Sequence, residues 1–284
     1  MIWHHNIMGI TDLYMVILSS YIISSLTYAS SQWPSYNKYQ NILFSIGLIF
    51  GLLGITVHGM VLFDNVVQKN GLHFSIANII SLIGFQLAFI AILASLKKEM
   101  CGFSAGILLI SSVSALLLTS LISGLDNFQS EIKPMTWQIK THILTSVFAY
   151  AMLCAGSIIA IFALIQDQRL RNKKLSSLNA LFAPLETTEK IIFDTASLGS
   201  ISLMISIFSG IIFIENLFSQ HLAHKTVLSI IALIMFAVLV YGRKVYGWRG
   251  RSAIYLYLSA FFMLAISYFG SRFILENVLG RTWS

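Results

Sequence analysis

Histidine carries the most usable chemistry in this sequence, because a neutral imidazole ligates metals and haem iron and titrates near physiological pH. There are seven: His4, His5, His58, His73, His142, His221 and His224. His221 and His224 stand three apart, a spacing that puts two imidazoles on one helix face. Partners for a metal cluster are scarce, with eleven Asp and Glu and two cysteines, Cys101 and Cys154, in the whole chain. A Gly-rich phosphate loop, a His-Glu-x-x-His pair and a Gly-x-Ser-x-Gly elbow are all missing from the sequence, so the chemistries they serve have no motif here. The expectation is a binding protein, not an enzyme.

What must position these imidazoles is membrane-spanning helix. Of the 284 residues, 57% are hydrophobic and 10% charged, where a soluble domain is nearer one-quarter charged. Mean hydropathy is +0.80. This excludes a water-soluble enzyme, a disordered chain and a disulfide-stapled secreted domain. A span needs about 20 mostly apolar residues. Eight segments qualify: Ile7–Tyr28, Asn41–Leu62, Phe74–Leu96, Phe103–Ile122, His142–Ile165, Ile191–Ile214, Leu222–Tyr241 and Ser252–Ile274. The seventh qualifies only with His224 and Lys225 at its interfacial end. The runs are long and unbroken, unlike the alternating segments of about ten residues in a transmembrane barrel. The expected fold is therefore all-α: a polytopic helix bundle of about eight transmembrane helices, forming one membrane domain over 1–284. Met1–Gly9 carries no Lys or Arg and no small-residue cleavage pattern follows, so a removable signal peptide is not expected.

Two connections are long. The polar segment 123–141 contains Pro134 and Trp137, and the basic segment 166–190 contains Leu175, Leu178, Leu181, Phe182 and Leu185 at helical spacing. The second reads as a helix lying on the membrane surface, started or broken by Pro184, or as an ordinary linker. Gly51, Gly54 and Gly59 in the second span read as points of close helix packing.

With eight spans, alternate connections share a side. One set holds twelve Lys and Arg and the other six. The richer side is expected to be cytoplasmic, which places 166–190 inside, 123–141 outside and both termini outside. All seven histidines then fall on the outer side. The formal charge of +7 reads as topology and contact with anionic lipid, not as nucleic-acid binding. The ligand matched best by separate imidazoles among Phe, Ile and Leu is haem, whose iron takes one or two axial histidines. The candidates are His58, His142 and His224. Trp137 can stack on the ring edge, and Lys140, Lys225 or Arg272 can meet the propionates. Interfacial histidines with no ligand are the plainer alternative. Two other functions stay open: a small-molecule transporter using Asn78, Gln86, Ser200 and Ser206, and a ligand-free envelope partner whose long loops are contact surfaces.

Several elements of the second half form an ordered set: Thr141-His142-Ile143-Leu144-Thr145-Ser146 with Ala149-Tyr150, then Pro184-Leu185-Glu186, then His224-Lys225-Thr226, then Gly247-Trp248-Arg249-Gly250-Arg251, and last Tyr268-Phe269-Gly270-Ser271-Arg272-Phe273-Ile274-Leu275-Glu276. Over roughly Thr136 to Arg281 the set resembles the cytochrome c assembly protein family, which includes CcsA-type and HemX-type haem-handling membrane proteins and YpjD-type bacterial inner-membrane proteins. The resemblance implies a multi-pass bacterial inner-membrane protein that handles haem in cytochrome c maturation. Its partners would be haem, lipid and other maturation or envelope proteins. In haem-delivery members a Trp-rich outer loop holds haem between flanking histidines; His142 stands where the histidine after that loop is expected. The loop here holds one tryptophan, Trp137, and Tyr241-Gly242 replaces a histidine near the inner end of the penultimate span.

Overall fold

The apolar runs fold as helices because, in hydrocarbon, every backbone N–H and C=O has to be satisfied within its own segment. The computed structural model describes residues 2–68, 71–72, 76–125, 136–173, 181–213 and 223–270. Among them eight α-helices follow in order: α1 (Ile2–Ser31), α2 (Gln40–Val66), α3 (Ile76–Ser95), α4 (Cys101–Leu125), α5 (Trp137–Arg171), α6 (Leu185–Phe213), α7 (Ala223–Tyr246) and α8 (Gly250–Ala265). A π-helical turn, Ile266–Gly270, extends α8. The only strand pairing among the described residues is a two-residue ladder, Val67–Gln68 against Gly71–Leu72. Seven segments in the described residues are long and apolar enough to cross a membrane, and α4, at 25 residues, also has spanning length. The expected all-α polytopic bundle is the observed architecture. His224 and Lys225 lie in the first turn of α7, as the seventh span required.

Boundaries differ from expectation at both long connections. Helix α5 begins at Trp137 and runs on to Arg171, and α6 begins at Leu185, directly after Pro184. Polar residues can continue a helix once an apolar run has nucleated it, so hydropathy marks the membrane-facing part and not the helix ends. Much of the amphipathic stretch in 166–190 lies outside the described residues. Leu181 and Phe182 are described: Phe182 packs edge-on against Phe103 with ring centroids 6.4 Å apart.

The described residues form two compact units, Met1–Pro134 with Gln166–Leu185 and Met135–Ile165 with Glu186–Ser284. In the first, α1 presents a heptad stripe of Tyr14, Ile17, Tyr21, Ser24, Tyr28 and Ser31, all buried. This stripe meets Gly47, Gly51 and Gly54 of α2. A Cβ at Gly54 would lie 2.6 Å from the Tyr21 ring and one at Gly47 2.7 Å from the Tyr28 ring. Ser24 Oγ donates to the Gly47 carbonyl at 2.6 Å. Tyrosine rings thus seat on glycines where the backbones approach closely, the small-residue packing expected where hydrophobicity cannot drive helices together. Gly59 faces Phe85 of α3 instead.

The second unit is built from α5, α6, α7 and α8. The α6 residues Ile201, Ile205, Phe208 and Ile212 form an exposed apolar stripe, while Ala196, Gly199, Leu203, Ser206 and Gly210 are buried. Large apolar side chains outside and small or hydroxyl side chains inside are what lipid as solvent selects. Helix α7 ends on Gly247, whose φ of +68° is left-handed and whose N–H bonds the Arg243 carbonyl at 3.2 Å, an αL cap. Trp248 then folds its ring onto Gly242. The Gly250 N–H, which opens α8, is bound by Glu189 Oε1 at 3.0 Å. Because nothing lies within 4 Å of a Cβ at Gly247, Gly247→Ala is expected to lower stability by about 1 kcal/mol through backbone strain alone. Gly247→Asn is expected to lose less, since Asn tolerates this region. Thermal unfolding of the detergent-purified variants measures the difference.

Candidate functional site

Four helix ends meet in the second unit. Helices α5 and α7 begin there, and α6 and α8 finish there. Between them is a cavity of about 210 Å³. Helix α5 contributes His142, Ser146 and Tyr150, one face at i, i+4 and i+8. Helix α6 contributes Leu203, Ser206, Ile207 and Gly210. Lys225, Thr226 and Ser229 come from the first turns of α7, and Leu264, Ser267 and Tyr268 from the end of α8.

The imidazole is fixed in place. Gly210 leaves room for it, since a Cβ there would lie 2.9 Å from His142 Cε1. His142 Nδ1 lies 2.9 Å from Ser209 Oγ. Ser209 donates its own hydroxyl proton to the Ser206 carbonyl at 2.8 Å, so toward His142 it accepts. Nδ1 therefore carries the proton in the neutral ring, and Nε2 holds the lone pair. This is the arrangement of a ligating histidine, whose second nitrogen donates to an orienting group.

The remaining polar groups hold the helix ends together. Ser146 donates to the His142 carbonyl at 2.6 Å, and Ser206 bonds Ser146 in turn. Ser267 donates to the Lys225 carbonyl at 2.7 Å and pairs with Ser229 at 2.7 Å. Tyr150 donates to the Leu264 carbonyl at 2.7 Å. The Lys225 ammonium sits 4.7 Å from the Tyr268 ring centroid, a cation–π contact that steers it.

The structure brings together two of the candidates read from sequence, His142 and Lys225. Trp137 opens α5, is 69% exposed and packs against Phe213 at 6.4 Å between centroids; it is not among the cavity-lining residues. His224 immediately precedes Lys225 in α7, and its side chain lies outside the described residues, as do Arg272, His73 and His221 in full. His58 belongs to the first unit. It is 1% exposed, with Nδ1 bonded to Tyr21 Oη at 3.1 Å and Nε2 to Ser81 Oγ at 2.8 Å. The rings of Tyr21 and Phe85 stand edge-on to it. Iron ligation by His58 would require breaking one of these bonds. Among the transporter candidates, Ser206 lines the cavity, Ser200 bonds within its helix and Asn78 donates to the Asn65 carbonyl. Among the described residues there is no group of three or more His, Cys, Asp or Glu that could hold a metal ion.

A profile of the family described as cytochrome c assembly protein matches residues 46–279. The chain belongs to this family. The match reaches back into the first unit, beyond the Thr136–Arg281 stretch in which the motifs were read. Inner membrane protein YpjD of Escherichia coli, from three strains, is 27% identical over 237 residues, covering 82% of this chain and 88% of the relative. An uncharacterised 28.8 kDa protein of Azospirillum brasilense is 27% identical over 149 residues, covering 52% and 55% of the two chains. No solved structure matches. Within this cytochrome c assembly protein, the His142, Lys225 and Tyr268 motifs converge on one cavity.

Proposed function

We propose that the protein handles haem in cytochrome c assembly as a binding protein, and that His142 supplies the axial nitrogen. The observation that carries this reading is the anchored ring: Ser209 accepts from Nδ1 and leaves the lone pair on Nε2. The surroundings fit the group in kind, with one isolated imidazole, apolar walls from Leu203, Ile207 and Leu264, and a cation in Lys225. Bound haem would supply the iron that such a nitrogen ligates. His224, one residue before Lys225 at the same helix end, is the candidate for a second imidazole. Membership of the family supports the reading. By the Lys and Arg asymmetry this end of the bundle and both termini face away from the cytoplasm, and the similarity to an inner membrane protein supports a bacterial inner-membrane location.

Titrating haem into the detergent-purified protein is expected to give a shifted Soret band. In His142→Ala the band is expected to weaken and apparent affinity to fall at least about tenfold, the lower end of what loss of a metal-orienting contact costs. A wild type that leaves the haem spectrum unchanged, or a His142→Ala variant that binds like wild type, would overturn the proposal.

A further inference from the structure

We propose that the groove between α7 and α8 seats one anionic phospholipid, with an acyl chain in the groove and the phosphate at the basic turn that joins the two helices. Neither His142 nor its cavity takes part. Met235 of α7 and Tyr255, Leu258, Ser259, Phe262 and Met263 of α8 line a groove of about 570 Å³. Phe262 is 65% exposed and Tyr255 56%, so the groove opens to the surroundings of the bundle, where the solvent is hydrocarbon. On α7, Met235 lies seven residues before Gly242, two turns along one helix face, and Trp248 folds its ring onto Gly242. On α8, Arg251, Tyr255, Leu258 and Phe262 recur at i, i+4, i+7 and i+11, again one face. The groove therefore runs toward the turn. From Met235 to Gly242 is about 10 Å along the axis, which fits within one leaflet, half of a hydrocarbon core about 30 Å thick. The tail and headgroup of a single lipid cover that depth.

Charge identifies the headgroup. From Tyr241 to Ser252 the chain carries Arg243, Lys244, Arg249 and Arg251 and no Asp or Glu, and a basic cluster at the end of a span attracts anionic lipid. Two of the four are engaged within the unit. Arg243 donates to the Trp248 carbonyl at 3.1 Å and lies over the Phe193 ring, and Arg251 has a partner of its own. Glu189 reaches the turn, with Oε1 engaged by the Gly250 N–H. Lys244 and Arg249 are exposed, and these are the cations that a phosphate meets. A second copy of the chain in the same membrane would bring the same cations to this depth and set like charges against each other across a two-fold axis, so the charge favours a lipid over a dimer.

The test is native mass spectrometry of the full chain in detergent with dioleoyl phosphatidylglycerol or dioleoyl phosphatidylcholine, which share their chains and differ in net charge. Wild type is expected to retain phosphatidylglycerol at an occupancy at least about fivefold that of phosphatidylcholine, the contribution of one cation beside anionic lipid. Lys244→Gln combined with Arg249→Gln is expected to level the two lipids. Ser259→Trp fills the groove from an exposed position and is expected to lose retention of both. Ile205→Trp, at an exposed site on α6, is expected to bind like wild type. Equal retention of the two lipids by wild type, or a preference that survives in the double variant, would overturn the proposal. So would a Ser259→Trp protein that retains phosphatidylglycerol like wild type, which would reduce the site to charge without a seat. A dimer abolished by Ser259→Trp would assign the groove to a second copy and overturn it as well. The wild-type comparison decides the matter even if a variant does not fold.

Discussion

Gly156→Leu is expected to lower the thermal midpoint of the protein by on the order of 10 °C. Gly156 lies on α5 where the Tyr257 ring of α8 crosses it, and a Cβ there would fall on the Tyr257 hydroxyl and on Thr195 Oγ1. Tyr257 has no room to retreat. It is fully buried, its ring stands edge-on to Phe236 at 5.2 Å, and its hydroxyl donates to the Leu153 carbonyl at 3.1 Å. Overpacking costs about 1–3 kcal/mol, and displacing the hydroxyl from its acceptor adds about 1 kcal/mol. At about 2–4 °C per kcal/mol for a chain of this size, the sum gives the stated shift. Because the nearest clash is with the Tyr257 hydroxyl, Gly156→Ala combined with Tyr257→Phe is expected to be more stable than Gly156→Ala alone. Thermal unfolding of Gly156→Ala, Tyr257→Phe and the double variant in one detergent measures this. Strict additivity of the two substitutions would show that the hydroxyl is not what the glycine accommodates.

The second large effect is expected at His58, and it separates fold from function. His58→Ala removes a ring that links α1, α2 and α3, leaves the Tyr21 and Ser81 hydroxyls without their partner, and opens a void against Phe85. The expected loss is about 2–4 kcal/mol. Packing is the larger share, since hydrogen bonds between transmembrane helices average only about 0.6 kcal/mol. His58→Gln is expected to recover part of it by restoring one bond. The Soret response to haem is expected to stay at the wild-type level in both variants, because both nitrogens of His58 already serve the first unit. A folded His58→Ala protein that has lost its haem response would instead assign His58 to the ligand.

The spans were legible because lipid imposes one simple rule, about 20 apolar residues without interruption. The helix ends were not, because Trp137–Thr141 and Gln166–Arg171 extend α5 with polar residues that hydropathy does not see. The site was half legible. His142, Ser146, Tyr150, Lys225, Thr226 and Tyr268 all fall in the motifs read from the second half, and all line one cavity. The α6 contribution gave no such signal. Ser206 stood out only as a polar residue that could line a transport path, and Ser209 and Gly210 look like ordinary packing residues until α5 is laid against them, when Ser209 accepts from the imidazole and Gly210 makes space for it. His58 shows the converse: identical in type to His142 and equally prominent in the sequence, it is spent on holding helices together, because its partners Tyr21 and Ser81 come from helices that a linear reading cannot bring to it.

The tyrosine-on-glycine seam between α1 and α2 bears on how the chain is made. Both sides of it come from the first 66 residues, and its contacts involve neither cofactor nor charged group. The hairpin can therefore close in the bilayer while the ribosome is still translating the helices that follow, as expected for neighbouring elements of a chain that folds as it emerges. The half of the molecule that carries His142 is then translated after this seam has closed.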